Sequence, residues 1–522
     1  MTLTLEEKIG QMLVVGFHGH EPPQHVLDRL REGRIGGVIL FARNIDTPPQ
    51  VAELTEALHD AAKQPILVAI DQEGGVVARL REGFTESPGA MALGAADDPR
   101  LTEEVSAVLA AEMRALGINW NLAPAIDLTH DIRNPSVGVR SLGSDPLHVR
   151  RHALAQVQGF QGAGVAATAK HFPGKANTPV DPHVMLPVIE GPLDDMWDTD
   201  LVPFRAVCDA GVAAVMITHV QFKALEPVYP STLSPAIIRG LLRRDMGYRG
   251  LAVTDCMEMN AVTDAYGPGE SAVQAARAGA NLILFSHTRE HQEAAYDALL
   301  EAARTGRLPL EQVDYSVARI NEVKERFASG GMPPLTVIRQ PSHLETVERA
   351  ARAGTVLLRD KPSLLPLIPE ARVAVIEFAS SLEKECVEQG KETAFVNHLR
   401  DRKLIPEAVA MDPSTPTEGQ LDHARRLTED ADTLVLATRN THLYPAQLEA
   451  AQALLAALKP CILVCLRNPY DAGVLDADTI LLTLGDAAPS LEAAAEALAG
   501  GYEPAGRLRV PLTMSRAGEE AR

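Results

Sequence analysis

The sequence predicts an α/β protein: an N-terminal (β/α)8 barrel of the TIM type, followed by an open α/β sandwich domain. Three observations predict it. Short, wholly apolar runs alternate with helix-forming stretches eight times before residue 330, as expected of parallel strands covered on both faces. Distinctive polar residues stand just past several of these runs, where a barrel carries its chemistry. Glycine and proline then punctuate ASGGMPP (328–334), and a shorter series of the same alternation follows. From pattern alone, a doubly wound open sheet competes with the barrel for the first part.

The strand candidates, in order, are Met12–Phe17, Gly36–Phe41, Ile66–Ile70, Asn119–Ala123, Val165–Ala169, Val212–Thr218, Leu251–Thr254 and Asn281–Phe285. Helices are expected at Gln50–Ala62, Leu101–Leu116, Asp145–Gln161, Leu201–Asp209, Pro235–Arg244, Gly269–Ala278 and Leu310–Phe327. With 522 residues the chain exceeds one ordinary domain. We expect a barrel over 1–330, a connector over 331–345 and a sandwich over 346–522. The connector leads into a helix at His343–Ala351. Strands of the second unit are expected at Thr355–Leu358, Val373–Phe378, Thr433–Thr438, Cys461–Leu466 and Thr479–Leu482, with helices at 380–389, 416–429, 446–457 and 490–499.

Hydrophobic residues make up 46% of the chain, enough for full cores, and the formal net charge is -20. Such a charge disfavours binding to nucleic acid or an anionic membrane. No apolar run is long enough to span a bilayer. The start, MTLTLEEKIG, does not read as a signal peptide. The five cysteines are too sparse for a disulfide framework and suit a reducing, cytoplasmic compartment. The second unit has neither a G-x-G-x-x-G fingerprint nor a P-loop, so no nucleotide cofactor is expected there. Asn440, His442, Arg467 and Asn468 follow its strands and could line a crevice, but ordinary loop capping and solvent-facing side chains explain them better.

Asp71, Asp127, Lys170 with His171, His219 and Asp255 all follow barrel strands. A carboxylate fixed at a strand end, such as Asp255, can be a nucleophile toward an anomeric carbon. Retaining glycoside hydrolysis also needs a group that protonates the leaving oxygen. Asp181-Pro182-His183 places a carboxylate two residues before an imidazole, whose proton affinity suits an acid that later acts as a base. A dispersed metal centre is the other chemistry open to these side chains.

The motifs DQEGG (71–75), APAIDL (123–128), GVRSLG (138–143), KHFPG (170–174), DPHVMLP (181–187), THV (218–220) and TDCMEM (254–259) resemble those of family-3 glycoside hydrolases, in their two-domain β-N-acetylglucosaminidase branch. The resemblance covers the barrel and, more weakly, the second unit. It implies that Asp255 is the catalytic nucleophile and His183 the acid/base, with Asp181 its dyad partner. It implies that Asp71, Arg140, Lys170 and His171 bind the sugar, and that Met259 shapes the pocket. No cofactor and no metal ligand are implied. The implied reaction is retaining exo-hydrolysis of terminal N-acetylglucosamine from muropeptide or chitin-derived fragments, as in cell-wall recycling. The second unit is a candidate surface for a homodimer.

The chain departs from that branch at Lys175, Ala176 and Asn177, where His-Gly and often Asp are common, and at Pro182, often Ser. Lys175 adds a fixed charge if it faces the site, and Ala176, Pro179 and Pro182 restrict the loop. These changes bear on which sugar is taken. The alternatives are a retaining β-glycosidase of other specificity, a glycoside phosphorylase, and a non-catalytic carbohydrate-binding protein.

Overall fold

The computed structural model describes residues 3–134, 136–175, 186–191, 193–361, 363–368, 371–378, 395–404, 407–411, 415–456 and 460–513. Eight strands form the first sheet: β1 (Leu13–Val15), β2 (Gly37–Leu40), β3 (Leu67–Ile70), β4 (Trp120–Asn121), β5 (Ala166–Phe172), β6 (Ala214–Ile217), β7 (Leu251–Thr254) and β8 (Ile283–Phe285). Consecutive strands from β1 to β7 pair in parallel. A parallel bridge between Val253 and Leu282 then joins β7 to β8, and β8 pairs in parallel with β1. The first and last strands thus meet and the sheet closes into a barrel, which rules out the open doubly wound alternative.

Two strands differ from expectation in ways that matter for the site. The expected strand at Asn119–Ala123 shrinks to Trp120–Asn121, because side-chain amides take over part of its pairing with β3. Asn119 Oδ1 accepts the Val68 amide at 2.9 Å, and Asn121 Oδ1 accepts the Gln72 amide at 3.0 Å. β5 runs past Ala169 to Phe172, so Lys170 and His171 belong to the strand. Helices absent from the expectation cover Gln24–Arg31, Ala90–Ala96, Asn260–Tyr266 and Arg289–Arg304. The helix expected at 380–389 lies outside the described residues.

The second sheet has the order β9 (Val356–Asp360), β14 (Thr479–Leu482), β13 (Cys461–Cys465), β12 (Thr433–Thr438), β10 (Val373–Phe378), β11 (Glu407–Met411). Only β9 runs antiparallel to its neighbour. Its central strands are largely apolar because both faces are covered. Ile376, Leu434, Leu436, Leu463 and Leu482 face one core, while Val375, Val435, Ile462, Val464 and Leu481 face another. The first of these cores also takes in Val76, Val77, Met91, Ala92, Ala95 and Val139 from the barrel. Cys461 and Cys465 are buried in it and unpaired, as their apolar setting predicts.

The connection is anchored at Glu112, a buried carboxylate. It accepts the Thr85 amide at 2.9 Å and the Arg339 amide at 2.8 Å, and lies 2.9 Å from His343 Nδ1. Near the far end of the chain, the Arg507 amide donates to Ala95 O and Arg509 O accepts from the Ser144 amide, tying the last described segment back to the barrel. Among the described residues no helix is long and apolar enough to cross a membrane.

Candidate active site

The site is built on the carboxyl ends of β3, β5 and β7. Asp71 is the first residue past β3. The turn beyond it is held by its own chemistry: Gln72 Oε1 accepts the amides of Arg79 (2.8 Å) and Leu80 (3.0 Å), and the Glu73 and Gly74 amides both donate to Val77 O. Gly75 has φ +61°, and a Cβ there would sit 2.9 Å from Gly89 Cα, so only glycine fits. This tight turn sends Glu73 into the cavity beside Asp71.

Two cations converge on Glu73. Lys170 Nζ lies 2.6 Å from Asp71 Oδ1 and 2.6 Å from Glu73 Oε1. Arg140, on the short turn Gly138–Arg140, donates Nε–H to Glu73 Oε2 (2.9 Å) and Nη2–H to Oε1 (2.8 Å). A two-point guanidinium–carboxylate pair fixes direction as well as charge. Burial opposes ionisation of Glu73, but Arg140 and Lys170 outweigh it and hold the carboxyl well below the usual range. Burial likewise opposes the Lys170 ammonium, and Asp71 and Glu73 more than compensate, raising its pKa.

His171 is partnered at both ring nitrogens. Nδ1 lies 2.7 Å from Asp127 Oδ2, and Nε2 lies 3.1 Å from Lys175 Nζ and 3.4 Å from an Arg140 nitrogen. Asp127 also accepts the backbone amides of His171 and Lys175. Burial, then the charges of Lys175, Arg140 and Lys170, push the His171 pKa well below its ordinary value. Burial raises that of Asp127. The Lys170–His171 and Phe172–Pro173 peptide bonds are cis.

Asp255 is the first residue past β7. Its backbone amide donates to Ile217 O, and its Oδ1 accepts the Cys256 amide at 2.8 Å. Met259 precedes the helix Asn260–Tyr266 and is 7% exposed. Between them, Glu258 accepts the amides of His287 (2.6 Å) and Thr288 (2.9 Å), clamping the loop after β7 to the loop after β8.

One cavity of about 500 Å³ is lined by Asp71, Arg140, Lys170, His171, Asp255 and Met259 together. Every described residue that the sequence assigned to the site is therefore in one place. Asp181 and His183 lie outside the described residues. The same cavity is lined by Glu73, Arg79 and Lys175. Glu73 carries no expectation from sequence, although the DQEGG turn that aims it was visible. Arg79, whose Nη2 is 3.9 Å from Asp71 Oδ2, had no signal of its own.

Other candidates have structural work. His219 is buried, with Nδ1 2.5 Å from Thr232 Oγ1 and Nε2 2.8 Å from Cys256 O. Asn468 donates to Asn440 Oδ1 at 2.8 Å, and a Cβ on Gly138 would meet the Asn468 amide, so this pair faces the barrel. His442 pairs with Asp471 and Arg467 with Asp486. Among the described residues, Asp97, His148 and His152 bring metal-capable atoms within 4.8 Å of one another. None of them lines the cavity, and Asp97 is already engaged by Arg151 and Arg509.

Comparison with known proteins places this geometry. Residues 4–323 match the family described as glycosyl hydrolase family 3 N terminal domain. A β-N-acetylglucosaminidase of that family from Paenibacillus sp. superposes with a TM-score of 0.92 at 38% identity, over 99% of this chain and 100% of that one. Beta-hexosaminidase A of Pseudoalteromonas piscicida is 30% identical over 443 residues, 76% of this chain and 74% of that protein. A beta-hexosaminidase of Nitrosomonas eutropha is 33% identical over 305 residues, 56% of this chain and 87% of that protein.

Proposed function

Because the chain belongs to glycosyl hydrolase family 3, we propose that it is a retaining, exo-acting β-N-acetylglucosaminidase working at the barrel cavity. The observation that carries this is the shared cavity: Asp255 faces the same space as the Lys170–Asp71–Glu73–Arg140 network. A carboxylate beside a rigid set of donors and acceptors is what attack on an oriented sugar ring requires. The likeness to β-hexosaminidases over both units supports the amino-sugar class.

In the proposed reaction, Asp255 attacks the anomeric carbon while protonated His183 gives its proton to the departing oxygen. The glycosidic C–O bond breaks as the Asp255 ester forms. Water then attacks the same carbon, His183 takes its proton, and the ester bond breaks to release the sugar with retained configuration. Asp181 stabilises the imidazolium that enters the first step and re-forms in the second. Asp71, Arg140, Lys170 and His171 hold the ring, and Met259 walls the pocket. No step draws on a cofactor. The substrates proposed are muropeptide or chitin-derived fragments in the cytoplasm; the described cysteines, all unpaired, suit that compartment.

Trapping with a fluorinated N-acetylglucosaminyl donor tests the nucleophile. The adduct is expected on Asp255, and a label on any other residue overturns the assignment. A panel of N-acetylglucosaminides, glucosides and an anhydromuramyl-linked substrate, with and without phosphate, tests the rest. Free N-acetylglucosamine is expected in both arms; a sugar phosphate would establish phosphorolysis instead.

A further inference from the structure

The proposed reaction gives His219 no role, although it stands past β6 as Asp255 stands past β7. The residue is wholly buried, as are Thr218 and Thr232 around it, and its ring is held at both ends. Thr232 Oγ1 lies 2.5 Å from Nδ1 and 3.0 Å from Thr218 O. Thr232 sits on the short turn Ser231–Leu233, and that turn is pinned to the same strand end: the Ser231 amide and Oγ donate to Val220 O at 2.8 and 2.7 Å. At the other end of the ring, Nε2 is 2.8 Å from the Cys256 carbonyl. A carbonyl oxygen accepts and never donates, so Nε2 carries a proton and gives it to this bond.

Cys256 follows Asp255 and lines the cavity with it. Its amide donates to Asp255 Oδ1 at 2.8 Å. The carbonyl that His219 holds and the amide that holds the carboxylate belong to one residue, so the ring fixes the backbone from which Asp255 is oriented. On the opposite side the Met257 amide donates to Leu284 O of β8 at 2.9 Å. We propose that His219 is a positioning residue for the nucleophile: through Cys256 it sets the direction of the Asp255 carboxylate, and with it the line of attack on the anomeric carbon. The assignment rests on the glycosidase reading, in which Asp255 attacks. Having no exposed surface, His219 offers nothing to a sugar directly. The groups proposed to hold the sugar come from other elements: Asp71 past β3, Lys170 and His171 on β5, and Arg140 on its own turn. A change at His219 therefore shifts the attacking atom while the sugar stays where it was, and small misplacements of a reacting atom are felt in the rate.

Kinetics and spectra of the full chain test this. In His219→Leu, kcat is expected to fall about 10²-fold with KM within about three-fold of wild type, and labelling of Asp255 by the fluorinated N-acetylglucosaminyl donor should slow in parallel. His219→Gln puts an amide donor back within reach of the Cys256 carbonyl and is expected to recover about ten-fold of the lost kcat, the worth of one hydrogen bond. Should His219→Leu fail to fold, Thr232→Val, which removes the partner of Nδ1, is expected to show the same split of kcat from KM. Long-range ¹H–¹⁵N spectra of histidine-labelled protein, with His219→Gln identifying the resonance, should show a proton on His219 Nε2. A folded His219→Leu or Thr232→Val with wild-type kcat, a loss carried by KM alone, a His219→Gln no faster than His219→Leu, or an unprotonated Nε2 would each overturn the assignment of His219 and leave the glycosidase reading standing. An unaltered protein that hydrolyses no glycoside would instead overturn that reading, and this assignment with it.

Discussion

Glu73 is the residue on which the charges of the site balance. Lys170 and Arg140 are almost fully buried and both lean on it. Removing one member of such a buried set leaves uncompensated charge, at a cost of about 3–5 kcal/mol. Glu73→Gln is therefore expected to lower the urea midpoint by that equivalent and to raise KM, read from denaturation curves and steady-state kinetics. The pH dependence follows from the depressed pKa of this carboxyl. Its contribution is fully present above the unfolded value of about 4.3 and is lost as pH falls through the folded value. Wild-type stability should decline below about pH 4, and the decline should be shallower in Glu73→Gln. Asp255→Asn, by contrast, is expected to leave stability near wild type and to lower kcat at least about 10⁴-fold. At this scale the sequence disclosed the residues that follow strands and belong to motifs, among them Asp255 and Lys170. It did not disclose Glu73, because its role depends on which cations the folded turn brings within 3 Å.

The turn after β3 and the loop after β4 show how elements place those residues. Gly75 needs φ +61° and has Gly89 Cα where a Cβ would go. Gly75→Ala should destabilise the fold by about 1–3 kcal/mol and raise KM by displacing Glu73, measurable in the same two assays. His130, past β4, lies 3.0 Å from Asp200. Burial opposes its protonation, but Asp200 outweighs burial and raises its pKa. The tether is thus strongest below about pH 6.5 and weakens as pH rises through the folded value. Hydrogen exchange around Thr199 and Asp200 should quicken over that rise, and Asp200→Asn should abolish the pH dependence. Long apolar strands and amphipathic helices were legible, and Val373–Phe378 and Leu310–Phe327 fall where periodicity puts them. The Arg289–Arg304 helix carried no expectation, although its apolar side, with Tyr296 and Leu299, is buried against the barrel. The short β4 was misjudged because side-chain amides replaced backbone pairing.

The barrel and the second sheet share a core. Val76, Val77, Met91, Ala92, Ala95 and Val139 pack with Ile376, Leu434, Leu463 and Leu482 in one buried cluster. Neither unit buries its apolar surface alone, so calorimetry should show one cooperative transition. Residues 1–330 expressed alone should melt lower, with exposed apolar surface detected by dye binding; two independent transitions in the full chain would contradict this. The contact between the halves was not legible, because the surfaces that meet are the helix Ala90–Ala96 and two loops, the turn after β3 and the segment around Val139. Those loops are the ones that carry the site. Val77 belongs to the shared cluster and also lines the cavity; Val139 adjoins Arg140. A systematic substitution survey of β12 and β13, scored only by catalysis, would then trace a second image of the cavity onto strands that do not line it. Variants selected there for altered KM would retune the enzyme from its far side, without altering one reacting atom.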